Sequence, residues 1–116
     1  MDRGPVSMHT CDSAVSLAFT ILGKRWNGMI VDALSAGPLS FAALRRSVEG
    51  ISDAVLSDRL TELAEALLLT RVVEPGPPIS VAYTLTPSGE QLVPLLRQLG
   101  QWATAHLPQP EEQPER

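Results

Sequence analysis

The chain has a single cysteine, Cys11. An intrachain disulfide is therefore excluded, and with it the small secreted scaffolds held by several such links. Positive charge is also short. Nine Lys and Arg against thirteen Asp and Glu give a net charge of −4. A strongly basic chain would advertise nucleic-acid binding, and this one does not. Between Cys11 and Leu107 the balance is milder, with seven basic residues against nine acidic ones. Any DNA contact must rest on where individual arginines stand, and it must be sensitive to salt. Long apolar runs are missing too. The greasiest stretch, Ala14 to Leu22, is about half of what a bilayer requires. The start lacks a basic segment leading into a small-residue cleavage site. No membrane partner is expected, and the expected location is cytoplasmic. His9 and His106 stand far apart and have no metal-ligand spacing with Cys11, so no metal site is expected. No Ser/His/Asp set, phosphate loop or dinucleotide fingerprint is present. Neither an enzyme nor a cofactor is implied.

What is there reads as one domain. A length of 116 residues leaves no room for two cores, and 44% apolar content is ordinary for a globular chain. Residues 1–10 read as a flexible tail and residues 108–116 as an acidic, Pro-rich disordered tail, leaving 11–107 as the folded unit.

Within that unit the apolar pattern changes period once. Asp12 reads as an N-cap for a helix from Ser13 to Leu22, whose stripe of Val15, Ala18, Phe19 and Leu22 is widened by Leu17 and Ile21. One monomer would struggle to cover so broad a face. Gly23 ends it, and Trp26 opens a second helix to Leu34, with Trp26, Ile30, Ala33 and Leu34 inward. Gly37 and Pro38 stop that helix. Ser40 caps a third helix with Phe41, Leu44 and Val48 inside. After a turn at Gly50, Ser52 caps a fourth, with Leu56, Leu60, Leu63 and Leu67 as its core stripe. Its outer face is Asp53, Ala54, Ser57, Asp58, Thr61 and Glu62. From Thr70 the residues become β-branched. Arg71 to Glu74 and Val81 to Leu85 read as a hairpin around the loop from Pro75 to Ser80. Thr86 and Pro87 start a last helix to His106. Leu92, Leu95, Leu96, Leu99, Trp102 and Ala103 give it more apolar surface than one small domain can bury. Pro94 marks a candidate kink. The order predicts a mainly α fold with a small β-hairpin wing: a winged helix-turn-helix with a dimerisation helix at each end.

At this point the residues resemble the HxlR-type regulators, a MarR-like group of winged helix-turn-helix transcription factors. The resemblance is carried by Cys11, Gly23-Lys24-Arg25-Trp26, the run from Leu34 to Leu44, and Gly50-Ile51-Ser52. Leu56, Leu60 and Leu63 follow, then Tyr83-Thr84-Leu85-Thr86-Pro87-Ser88-Gly89 and Leu99-Gly100-Gln101-Trp102. It covers the chain from Cys11 to Trp102. Each piece alone is weak, and the ordered set is specific. Three positions depart from the family pattern. Leu67 stands where a Gly often follows the recognition helix, Ala54 where a polar donor often sits, and the wing from Pro75 to Ser80 has no basic residue. All three bear on DNA binding more than on fold.

The resemblance implies a DNA-binding transcriptional regulator, expected as a repressor and a homodimer on a pseudo-palindromic double-stranded operator. In a winged helix the first half of the recognition helix meets base edges, which nominates Ser52, Asp53, Ala54, Ser57 and Asp58. Ser40, Arg45, Arg46, Arg59, Lys24, Arg25 and Arg71 are the phosphate candidates. Surface ion pairing, such as Arg59 with Glu62, is the plain alternative for them. Val15, Phe19, Leu92, Leu95, Leu99 and Trp102 are expected at the dimer interface. Family members resembling thiol switches make Cys11 a candidate sensor of an electrophile or oxidant, and a small-molecule effector at the dimer interface is the other input. The alternative function is a winged-helix protein-interaction module that binds DNA weakly, favoured by the negative charge and the uncharged wing.

Overall fold

The computed structural model describes residues 12–110. Cys11, the tail from 1 to 10 and most of the acidic tail lie outside them. The elements run α1 (Ser13–Leu22), α2 (Asn27–Ala33), a 3-10 turn (Leu34–Ala36), α3 (Phe41–Ser47), α4 (Asp53–Glu65), β1 (Leu69–Glu74), β2 (Ser80–Leu85) and α5 (Pro87–His106). This is the mainly helical, winged arrangement that the sequence predicts.

Side-chain caps set the starts of four helices. Asp12 accepts from the Ala14 amide, Ser40 from Ala43, Ser52 from Val55 and Thr86 from Gly89. Each such cap contributes about 1 kcal/mol by satisfying an amide that has no partner inside the helix. Helix α2 differs from expectation. Trp26 is its N-cap position and makes no side-chain cap bond. Its last turn tightens into the 3-10 segment before Gly37, whose φ of 145° only a glycine adopts easily.

The core lies where α2, α3, α4 and the base of the hairpin meet. Ile30, Val31, Leu34, Leu44, Val48, Ile51, Leu56, Leu60, Leu63, Leu69 and Leu85 are buried there. Burying each such side chain contributes roughly 1.5–3 kcal/mol before conformational entropy is counted. The strands pair antiparallel with Leu69 opposite Leu85 and Glu74 opposite Ser80. Both start a little earlier than the sequence pattern alone placed them. A short bridge adds a third edge: Leu39 and Tyr83 exchange backbone hydrogen bonds of 3.0 and 2.8 Å. It pins the segment before α3 to the wing.

Leu67 corrects the expected core stripe of α4. It is 72% exposed and has φ 65°. The helix stops at Glu65, and Leu67 and Leu68 donate to the Ala64 and Leu63 carbonyls, each at 3.0 Å. This is a Schellman ending with a leucine where glycine is the unstrained choice. Immediately beyond, the Leu68 carbonyl accepts from the Thr86 amide at 3.0 Å. Gly89 packs so closely on that carbonyl that an added Cβ would lie 2.1 Å from the oxygen. The Tyr83-to-Gly89 motif thus has a steric reason to end in glycine.

Helix α5 returns across α2. Leu92, Val93 and Leu96 pack on the core, and Arg97 donates to Asp32 and Ser35, each at 3.0 Å. Helix α1 has no buried residue.

Candidate nucleic-acid interface

The turn from Val48 to Ser52 sets α3 against α4. Gly50 takes φ 91° there, and Ser52 turns the chain into helix. The consequence is an exposed start to α4. Ser52, Asp53, Ala54, Ser57 and Asp58 are all exposed, as are Thr61 and Val55. The Ser52 hydroxyl is occupied in part by the Val55 amide at 3.1 Å. Ser40 is used in the same way by Ala43. The sequence pattern assigns Val55 to neither face, and it is 37% exposed. An exposed Val or Ala on such a face suits a thymine methyl.

The described basic residues do not form one open patch. Arg45 pairs with Asp53 at 2.9 Å across the turn. Lys24 pairs with Glu62 at 3.2 Å, and Arg59 pairs with Glu62 at 3.0 Å. The Arg59 side chain is only 19% exposed, so the ion pair that was the plain alternative is the geometry present. Arg25 lies over the Trp26 ring, 4.4 Å from its centroid. Arg71 lines a cleft of about 440 Å³ between α4 and the hairpin, with Ser57, Thr61, Glu65 and Tyr83. Arg46 is exposed and makes no ion pair with a described residue.

Glu62 is a second correction. Assigned to the outer face of α4, it lies on the shoulder of the helix beside the core. Its carboxylate accepts from Lys24 and the wholly buried Asn27 and forms an ion pair with Arg59. Burial works against its charge. The Lys24 and Asn27 hydrogen bonds, with the charges of Arg59 and Lys24, outweigh that and hold the carboxyl below its ordinary range. Arg59 and Glu62 share the same shoulder of the stripe Leu56, Leu60 and Leu63, which is the signal the sequence offered. Asn27 gave none.

The predicted dimer residues divide. Val15 and Phe19 on α1, and Leu95, Leu99 and Trp102 on α5, are each about half exposed. Leu17 joins them at 70%. Leu92 is the exception, since it is packed against its own core. Between α1, α2 and α5 runs a cleft of about 460 Å³ lined by Phe19, Leu22, Met29, Leu96 and Leu99. Among the described residues no group of three or more His, Cys, Asp or Glu is placed to hold a metal ion. No helix among them is long and apolar enough to cross a membrane.

Comparison with known proteins converges on one family. The model of the HxlR-like helix-turn-helix matches residues 21–111. The HTH-type transcriptional regulator YodB of Bacillus subtilis is 40% identical over 86 residues, covering 74% of this chain and 77% of YodB. The reduced form of YodB superposes with a TM-score of 0.76 at 35% identity, over 89% of this chain and 100% of that one. YodB has also been solved after diamide treatment and with quinone bound. The redox regulator HypR in its oxidised form gives a TM-score of 0.76 at 26% identity, over 83% of this chain and 99% of that one. A regulator's helix-turn-helix, with a capped and exposed α4, is what the residues build: the chain belongs to the HxlR-like helix-turn-helix family of DNA-binding transcriptional regulators.

Proposed function

We propose that the protein acts as a homodimeric repressor, placing two copies of α4 in successive major grooves of a pseudo-palindromic operator. One observation carries this reading. The apolar faces of α1 and α5 flank the helix-turn-helix and stay open in a single chain, with Phe19, Leu95 and Trp102 each more than half exposed. Exposed rings and leucines on neighbouring helices are what a second copy would bury. Base contacts are assigned to Ser52, Asp53, Ala54, Ser57 and Asp58. Phosphate contacts are assigned first to Arg46, then to Arg45 and Arg71. Arg45, like Lys24, Arg25 and Arg59, reaches phosphate only by leaving its present partner.

Regulation is assigned to Cys11, as a thiol whose thiolate takes up an electrophile, in line with the redox regulation named for HypR. The cleft between α1, α2 and α5 is the alternative effector site, since an apolar ligand there would sit against the dimerisation helices. In either case a signal would change the relative placement of the two α4 helices.

The experiment is binding to a selected operator with and without an electrophile, on the native chain and on Cys11→Ser. The reading predicts that the reagent lowers the affinity of the native chain and leaves Cys11→Ser unaffected. A response that persists in Cys11→Ser removes the thiol from the account. A second reading, a protein-interaction module with weak DNA binding, is favoured by the ion pairs that engage Lys24, Arg45 and Arg59. Absence of any enriched DNA sequence would support it.

A further inference from the structure

Two buried polar atoms lack a hydrogen-bond partner among the described residues, Asn27 Oδ1 and Arg59 Nε. Both belong to one cluster. The Asn27 amide donates to the Ile21 carbonyl in the last turn of α1 at 2.9 Å, and to Glu62 Oε1 on α4 at 3.3 Å. Arg59 reaches the same Glu62 oxygen at 3.0 Å, while Lys24 takes Oε2 at 3.2 Å. A leucine at position 27 would fill a similar volume and leave no orphan acceptor. Buried polar clusters are weak evidence for stability, and replacing them by well-packed apolar groups is often neutral or better. What this cluster supplies is direction. Hydrogen bonds constrain angles, and these join the end of α1 to the flank of α4.

We propose that Asn27 and Glu62 form the joint that fixes α4 relative to α1, which makes Glu62 a positioning residue for operator recognition and not a DNA contact. The inference rests on the homodimer reading. In a dimer joined through α1 and α5, the separation and twist of the two α4 helices depend on how each stands on its own α1. Helix α1 has no fully buried residue, and Ile21 at its end packs on the core, so the Asn27 bond to the Ile21 carbonyl acts where α1 meets the rest of the chain. One added base pair moves a half-site by about 3.4 Å and turns it by roughly a tenth of a turn. A rigid joint makes the protein sensitive to that change. A loosened one lets each α4 follow its half-site.

The test uses the full chain and an operator recovered from a random DNA pool, with its spacer lengthened or shortened by one base pair. Three variants are compared with the native chain: Asn27→Leu, Glu62→Gln, and Val48→Ala as a core-destabilised control outside the joint. The native chain is expected to prefer its own spacer by about tenfold or more. Asn27→Leu and Glu62→Gln are expected to reduce that preference to about threefold or less, while keeping affinity for a single half-site. Val48→Ala should keep the native preference. Retention of the native preference by both joint variants overturns the inference, and so does its loss in Val48→Ala. A native chain that binds its half-site and ignores spacing overturns the two-helix reading itself.

Discussion

Arg45, near the end of α3, donates to the Asp53 carboxylate in the first turn of α4 at 2.9 Å. A cation that the sequence assigns to phosphates thus neutralises an acid on the reading helix. The pair is well exposed, at 49% and 64% for the two side chains, so it is weak and easily exchanged. Asp53 competes with DNA for Arg45. Asp53→Asn should therefore raise affinity for non-specific DNA and steepen the logarithmic salt dependence by about one unit. A salt titration of both proteins on random-sequence duplex checks this. An unchanged slope and affinity would show that Asp53 does not hold Arg45 away from phosphate.

Arg46 is one residue further along α3 and makes no ion pair with a described residue. Arg46→Ala should weaken binding by a similar factor on every sequence and flatten the salt slope by about one unit. A loss confined to particular sequences would instead indicate base contact.

Much of this was open to reading from sequence, for identifiable reasons. The N-caps at Asp12, Ser40, Ser52 and Thr86 are local chemistry, and each stands where its side chain can reach an amide two or three residues on. The change of period after α4 likewise marks the wing. Long-range partners were hidden. Nothing near Asn27 in the chain shows that it will meet Glu62, thirty-five residues away. The stripe rule carried Leu67 inward because it assumes that the helix continues. The Schellman ending turns that residue outward. Leu92 fits the same heptad as the residues proposed for the α5 interface, yet it is packed against the core of its own chain.

Leu67 gives a stability prediction. Its positive φ is strained, and at 72% exposure its side chain loses little packing on removal. Leu67→Gly should stabilise the fold by about 0.5–1 kcal/mol, the relief of the left-handed conformation exceeding the entropy cost of glycine. Denaturant unfolding with an unchanged slope measures it. A lower midpoint would show that the leucine side chain is needed where it lies.

Glu62 gives a pH prediction. Its folded value lies below the ordinary 4.5, so its charged form is favoured by folding. The resulting stability is fully present above about pH 4.5 and is lost as the pH falls through the lower folded value. The stability difference between the native chain and Glu62→Gln should be constant near neutrality and shrink below about pH 4.5. A difference that is the same at pH 7 and pH 3 would contradict the ion-pair assignment.

The open faces of α1 and α5 predict self-association through Leu99 and Trp102. Leu99→Glu, or Trp102→Ala with Leu95→Ala, should give a folded monomer at concentrations where the native chain is dimeric. Light scattering reads the mass, and circular dichroism shows that the helices remain. A native chain that stays monomeric at tens of micromolar concentration would remove the proposed interface.

In the proposed dimer, two exposed α4 helices read one DNA site. Selection from a random duplex pool should then enrich an inverted repeat, with half-site centres roughly one helical turn or a multiple apart. Substitutions at Asp53, Ala54, Ser57 or Asp58 should change the preferred bases within the half-site. No enriched sequence, or a single unrepeated site indifferent to those substitutions, would contradict this reading.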